Sequence, residues 1–324
     1  MNIQDEPTSA GLQALDRAIT QHASICAAST EPDTSNRNAF QDVQRTLRKF
    51  YDTAKHILVD LGACAADFFI RETVTCLRDK SSTSQDLRLD ITHTPVNTLL
   101  TLFSSARVEQ ACQPEGIGLL HISPKVQCLL DYLLQNNGSD LCGIVFVERR
   151  VVASVLSSLL SNHPAANGRL RCVPSVGGSR FSGRKFAITE LIDRRSQKQA
   201  LASFRRGQAN IIVATSVLEE GIDVQACNVV ACFDVPTNLK SYIQRRGRAR
   251  HQRSRYGMLL EVNADQDKVA RWKELEEELT ALCQEEREQA DLCRRIEAED
   301  EAMDYVLRVE STGWVNLLMT VPVG

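Results

Sequence analysis

The sequence predicts an α/β domain built on a parallel sheet with helices on both faces, preceded by an all-helical module and followed by a long helical arm. Three observations predict it. Short apolar runs, LCGIVFV (141–147), NIIVAT (210–215), CNVVACF (227–233) and YGMLLEV (256–262), alternate with segments of helical period. No credible strand occurs before residue 140, and residues 265–306 run charge-dense without a glycine or proline. Near-continuous apolar runs mark strands buried on both faces, and strands separated by helices form βαβ units with right-handed crossovers.

The elements follow in order. Leu12, Leu15, Ile19, His22 and Cys26 recur at three- and four-residue steps, which makes residues 8–28 one amphipathic helix. A polar stretch, Ser29 to Asn38, is expected to break it. Helical period resumes at Phe40 through Val43, Leu47, Phe50 and Ala54, then passes Leu61-Gly62 into ACAADFFIRETVTCLRD. A second polar break, Lys80 to Asp86, precedes a helical run from Val96 to Ala111. His56 and His93 have no partner one turn further on and read as surface or core residues rather than ligands.

Ser123-Pro124 sets an N-cap before a proline at the first helical position, opening a helix with Val126, Leu129, Leu130, Leu133 and Leu134. Asn136-Asn137-Gly138 closes it. VASVLSSLL (152–160), Asp193 to Phe204 and Ser241 to Arg246 are expected helices, Leu170–Val173 a short strand and GGSRFSGRK a loop. In the arm, Val269, Trp272, Leu275, Leu279 and Leu282 share one stripe, continued by Cys293 and Ile296. They predict one long helix or a tight helical pair, with a solvated acidic face at Glu274–Glu278 and Glu285-Glu286. The final STGWVNLLMTVPVG turns apolar and is expected to begin a further domain. The expected divisions are 1–114, 115–262, 263–308 and 309–324.

Composition narrows the class. At 324 residues the chain has room for about two domains, each able to bury a core. Its eleven cysteines are scattered, with no Cys-x-x-Cys and no Cys/His cluster, so free buried thiols in a reducing compartment are expected rather than disulfides or zinc. MNIQDEPTSAG lacks the apolar core of a signal peptide, and no stretch approaches the roughly 20 apolar residues of a membrane helix. The expected location is the cytoplasm, with the nucleus second, and no membrane partner.

The chemistry gathers in residues 211–253. A buried-strand run ends at Thr215-Ser216, passes Glu219 and Glu220 into Gly221-Ile222-Asp223, and is followed by a second strand and an arginine cluster. From Pro236 to Leu260 there is no acidic residue, against Lys240 and six arginines, in a chain of net charge −3. An isolated cluster of this kind is a solvated face or a transport signal. Behind a strand–loop–strand frame it also suits phosphate. In α/β sheets ligands bind beyond the carboxyl ends of the strands, which places Thr215, Ser216 and the loop through Asp223 at a functional edge. Thr215 and the amides beside it can bond a phosphate oxygen; Asp223 can accept from a ribose hydroxyl or serve as a turn residue. Arg248 and Arg250 are spaced for a bidentate grip on a phosphoryl group. No G-x-x-x-x-G-K-[ST] occurs, and no strand ends in paired carboxylates for magnesium. These residues make one half of an ATP site.

VFVERR (145–150), FRRGQANIIVATSVLEEGIDV (204–224), FDVP (233–236) and SYIQRRGRAR (241–250) resemble the motifs of the second RecA-like lobe of a superfamily 2 RNA helicase, in the branch of Dicer and the RIG-I-like receptors. LGACAADFFI (61–70) is similar to the helical insert of Dicer helicases, and DQDKVARWKELEEE (265–278) with VESTG (309–313) resembles the segment leading to a dimerisation-type domain. The resemblance covers roughly residues 40–313 and is nearest to fungal Dicer-like proteins. It implies a RecA-like lobe carrying arginine fingers at Arg248 and Arg250, with Gln244, Gly247, Gly221 and Asp223 facing ATP and Thr215, Ser216, Arg205 and Glu220 facing RNA. The family commonly sets its second finger at the position of His251; Arg250 stands one earlier, as in the Dicer branch. The motifs of a first lobe, a PAZ platform and RNase III domains are absent, so the reading is of a truncated or fragmentary member. ATP with magnesium is expected only where a first lobe is supplied. Double-stranded RNA is the expected partner, in gene silencing and antiviral defence, with a protein partner at the arm. The rival reading is a non-catalytic RNA-binding or protein-interaction module. A Rossmann-type transferase is disfavoured because no glycine-rich turn follows the first strand.

Overall fold

The computed structural model describes residues 9–28, 34–83, 93–112, 122–135, 141–176, 197–218, 227–249, 254–260 and 270–278, with a few single positions up to 295. The chain divides into two compact units, Met1–Leu260 and Glu261–Gly324.

The first unit opens with helices α1 (Ala10–Ala28), α2 (Thr34–Leu61), α3 (Ala63–Thr83), α4 (His93–Ser105) and the single turn α5 (Val108–Ala111). Among the described residues no strand precedes residue 140, as the absence of period-two patterning predicts. On α2 the side chains of Val43, Leu47, Phe50, Ala54, Ile57 and Leu61 are all buried, one stripe at alternating steps of three and four. Phe50 is the hub, its ring centroid 5.4 Å from Phe69 of α3 and 5.8 Å from Phe103 of α4. His22 is buried on α1, with Nδ1 2.6 Å from Gln44 Oε1 and its ring tilted on Phe40, a satisfied core histidine. The start of α1 is tied down by Ser9 and Asp67: Ser9 Oγ accepts from Leu12 N, while Asp67 accepts from Ser9 Oγ and Gly11 N.

Several boundaries differ from expectation. The polar residues Thr34–Asn38 begin α2 rather than separating it from α1, and α3 continues through Lys80 to Thr83. In both places polar residues extend a helix whose buried stripe is already anchored, because packing overrides weak local propensity. The α2–α3 junction is Gly62 at φ 101, a left-handed conformation that costs glycine nothing and lets the chain turn back between two buried helices. The run from Val96 to Ala111 is two helices, since Arg107 at φ 55 interrupts it.

The α/β part follows: α6 (Pro124–Gln135), β1 (Gly143–Phe146), α7 (Arg150–Asn162), β2 (Cys172–Ser175), α8 (Gln197–Arg205), β3 (Ile211–Ala214), β4 (Val229–Cys232), α9 (Leu239–Arg246) and β5 (Arg255–Met258). The strands form one sheet in the order β2-β3-β1-β4-β5. Every pairing is parallel; Gly143 stands opposite Ile211 on one side and Val229 on the other. Both faces are covered. Val145, Val147, Ile211, Val213, Val229 and Ala231 join a core that continues through α6 and α7 into the helical module. Ile144, Phe146, Ile212, Ala214, Val230 and Cys232 face a second core with Ala200 and Phe204 of α8. A β-carbon at Gly143 would meet Ile211 Cδ1 at 2.9 Å and the Val229 carbonyl at 3.0 Å, so the central strand needs a glycine there. β2 and β5 lie at 172–175 and 255–258 rather than at 170–173 and 256–262; Leu170 is buried, but ahead of its strand.

In the second unit residues 270–278 are helical, with Trp272 buried and Glu274, Glu277 and Glu278 exposed. The long arm beyond them, the loop GGSRFSGRK and residues 309–324 lie outside the described residues. Among the described residues no helix is long and apolar enough to cross a membrane.

Candidate functional site

Three strand ends build the carboxyl edge of the sheet. After β3, Thr215 is buried and its carbonyl accepts from Leu218 N, closing a short 3-10 turn that carries the exposed Ser216. Neither hydroxyl has a hydrogen-bond partner among the described residues, so both can serve a ligand there. After β4 comes Asp234, the organising acid of this edge. Its carboxylate accepts from Lys125 Nζ at 2.7 Å and from the Glu148 amide at 2.8 Å, joining the ends of β4 and β1 to the first turn of α6. The Lys125 ammonium also stands 4.0 Å over the Phe233 ring.

Lys125 is placed by the cap two residues before it. Ser123 Oγ accepts from Val126 N at 3.2 Å, as the Ser-Pro signal predicts, and donates to the Asp60 carbonyl at 2.6 Å. One hydroxyl thus caps α6 and pins it to the end of α2. Burial lifts the Asp60 carboxyl above its ordinary value, 3.8; the Lys125, Arg149 and His56 charges oppose the shift and Asp234 adds to it. Below pH 3.8 the acid is protonated in folded and unfolded chains alike. As pH rises the unfolded chain releases its proton first, so stability falls until the folded carboxyl has ionised too. Asp60→Asn is therefore expected to raise the thermal midpoint at pH 7 and leave it unchanged at pH 3. Equal shifts at both pH values would refute the assignment.

The arginine block divides by burial. α9 starts at the Asn238 cap, whose side chain accepts from Ser241 N at 2.9 Å. Arg245 is only 3% exposed, with Nη1 donating to the Asp234 carbonyl at 3.1 Å and its guanidinium 5.2 Å from the Phe146 ring centre. It is an internal brace. Arg246 points to solvent, Gln244 is half-buried, and Gly247 ends the helix in a helical conformation. Arg248 is half-buried, its amide donating to the Arg245 carbonyl at 3.1 Å.

Arg248 does not share an edge with Thr215. The next residue, Ala249, accepts at its carbonyl from Ser254 Oγ at 3.0 Å, just ahead of β5. The Arg248 charge opposes the upward shift that a hydrogen bond between the Cys227 and Cys142 side chains and burial impose on the Cys227 thiol just ahead of β4. Cys142 precedes β1, and its amide donates to Asn228 Oδ1 at 3.0 Å, so this is the amino edge of the sheet. The reason is length. Eight residues of helix cover about 12 Å at 1.5 Å per residue, and a four-residue strand about 13 Å. α9, returning along the sheet, therefore delivers its carboxyl end to the opposite edge. Arg205, ending α8 just ahead of β3, lies at the amino edge by the same logic. The structure thus sets Arg205 and Arg248 at the edge opposite Thr215 and Ser216, with Gln244 on α9 and Gly247 at its end. Glu220, Gly221, Asp223 and Arg250 lie outside the described residues. Sequence reasoning missed Asp234, Lys125 and the bracing role of Arg245, because nothing local in FDVP tells an ion-paired aspartate from a turn residue. Among the described residues no three His, Cys, Asp or Glu side chains gather as a metal ion would require.

Comparison with known proteins places this geometry. The model of the helicase conserved C-terminal domain matches residues 124–252. Dicer-like protein 2 of Aspergillus terreus is 37% identical over 270 residues, 83% of this chain and 20% of that protein. Dicer-like protein 2 of Cryphonectria parasitica is 37% identical over 277 residues, 84% of this chain and 18% of that protein. The chain spans about one fifth of the length of these relatives. The Hef helicase domain of Pyrococcus furiosus aligns over 82% of this chain and 55% of its own, at 18% identity and a TM-score of 0.39.

Proposed function

Because this chain belongs with the Dicer-like superfamily 2 helicases as a C-terminal helicase region, its conserved domain at residues 124–252, we propose that it acts as the second RecA-like lobe of an ATP-dependent motor on double-stranded RNA. Thr215, Ser216 and Glu220 contact the RNA backbone, together with Arg205. Gln244, Gly221, Asp223 and Gly247 face ATP, and Arg248 and Arg250 reach its γ-phosphate. The observation that carries the reading is the half-buried Arg248, set just past the end of a helix that the buried Arg245 holds against the sheet. A permanently charged fork held this way suits the charge that develops on a transferring phosphoryl group.

The described donors at this end are cationic and fit phosphate oxygens rather than a metal ion. In this reading ATP and magnesium are held mainly by a first RecA-like lobe, and ATP supplies the phosphoanhydride whose hydrolysis drives the motor. The wider role is RNA processing in gene silencing. A protein partner at the arm is a further part of the proposal, supported by the exposed Glu274, Glu277 and Glu278 on one short helix.

The purified chain tests the reading. Binding of a labelled RNA duplex is expected to weaken steeply with salt, as counterion release requires, and ATP turnover without a first lobe is expected to stay at background. A flat salt profile refutes the RNA assignment. RNA-stimulated hydrolysis by the chain alone, abolished by Arg248→Ala, refutes the need for a first lobe.

A further inference from the structure

A second basic surface lies at the amino edge of the sheet, where β2 and β3 begin. Between Arg149 and Leu218 the sequence holds twelve lysines and arginines against two acids, Glu190 and Asp193, within a chain of net charge −3. Four of the arginines, Arg169, Arg171, Arg205 and Arg206, are exposed on the segments that enter β2 and β3. The two segments are laced together: Asn210 Nδ2 donates to the Arg169 carbonyl at 2.7 Å, and Asn210 Oδ1 accepts from the Arg171 amide at 2.8 Å.

Two of the guanidiniums are held in place rather than left to wave. Arg169 donates from Nη2 to the Ala165 carbonyl at 3.0 Å and from Nε to that of Ala166 at 3.3 Å. Arg171 donates from Nε to the Gln208 carbonyl at 3.0 Å and from Nη2 to that of Gly207 at 3.3 Å. Among the described residues no carboxylate pairs with Arg169, Arg171 or Arg206. Like charges gathered on one corner repel, and among the described residues no acid offsets Arg169, Arg171 or Arg206. Part of the cluster has a local reason, since cations favour the carboxyl end of a helix such as α8. The same reason reaches Arg169, which bonds the carbonyls ending the 3-10 turn at 164–166, and Arg171, which bonds those just past α8, yet each of these guanidiniums keeps further N–H donors beyond the two that are used. Arginines fixed with donors to spare match the bidentate geometry of phosphate oxygens.

We infer that this corner is a second contact for a nucleic-acid phosphate backbone, separate from the carboxyl-edge contact at Thr215 and Ser216. It rests on the RNA reading above, which already includes Arg205, and extends that contact to Arg169, Arg171 and Arg206: one duplex is gripped at both edges of the sheet. The chemistry is sequence-independent, because guanidiniums that meet phosphates rather than base edges carry no sequence information.

The test measures affinity of the full chain for a fluorescein-labelled blunt RNA duplex across a salt series. Each lost phosphate contact lowers the slope of log K against log salt by about 0.9. Arg169→Ala/Arg206→Ala is expected to lower it by about 1.8. Arg206→Glu keeps the test open if the double variant fails to fold, because the Arg206 side chain makes no bond within the described residues; its slope is expected to fall by at least about 0.9. A wild-type slope in a folded variant overturns the inference and leaves the RNA reading standing, provided Thr215→Ala still weakens binding. No duplex binding by the wild-type chain overturns both. Polyglutamate binding that is lost in Arg206→Glu, with the duplex slope of that variant unchanged, overturns it as well, assigning the corner to an acidic polypeptide.

Discussion

Replacing Arg245 by alanine is expected to lower stability by about 2–4 kcal/mol, read as a drop in the urea midpoint with an unchanged m-value. Three losses add. The charge-assisted bond to the Asp234 carbonyl goes, and with it the contact over Phe146. The side chain of a residue only 3% exposed also leaves a void between α9 and the sheet. Lysine should recover only part of the loss, since one ammonium cannot span the positions that a planar fork reaches. Arg246→Ala, one residue on and facing solvent, is expected to fall within about 0.5 kcal/mol of wild type. Equal effects at the two positions would show that Arg245 is no brace.

The second large effect concerns chemistry. With a first RecA-like lobe present, Arg248→Ala is expected to cut RNA-stimulated ATP turnover by about 10³-fold or more, the usual value of an arginine at a transferring phosphoryl group. Duplex affinity should stay close to wild type, because in this reading Arg248 reaches ATP and is not among the residues that contact the RNA backbone. Single-turnover hydrolysis and duplex binding, measured on the same variant, separate the two quantities. A parallel loss of affinity and turnover would place Arg248 in the RNA contact instead of opposite ATP. Arg248→Lys should restore little, since a point charge does not reproduce bidentate recognition.

Much of this architecture was legible without coordinates. β1, β3 and β4 were visible as uninterrupted apolar runs because a parallel strand buried on both faces must be apolar at every position. α1, α2, α6 and α7 were visible because a helix with one buried face repeats its apolar residues every three to four positions. The Ser123 cap was legible from two residues, since capping is local. Edge strands were placed less well: β2 and β5 are half-covered, and their patterns are diluted by Pro174, Arg255 and Gly257.

The site was legible in residue type and not in placement. The sequence by itself determined a parallel α/β lobe, the Thr215-Ser216 turn behind a buried strand, and a cluster of arginines unopposed by acid, because each depends on neighbours in the chain. Only the tertiary structure decided that Arg245 is buried while Arg246 is not, that Asp234 binds Lys125 from 109 positions away, and that Thr215 and Arg248 occupy opposite edges. Those facts depend on which surfaces meet once the sheet has closed. Helix length against strand length then sets the edge at which each arginine emerges, a quantity no local pattern of charge contains.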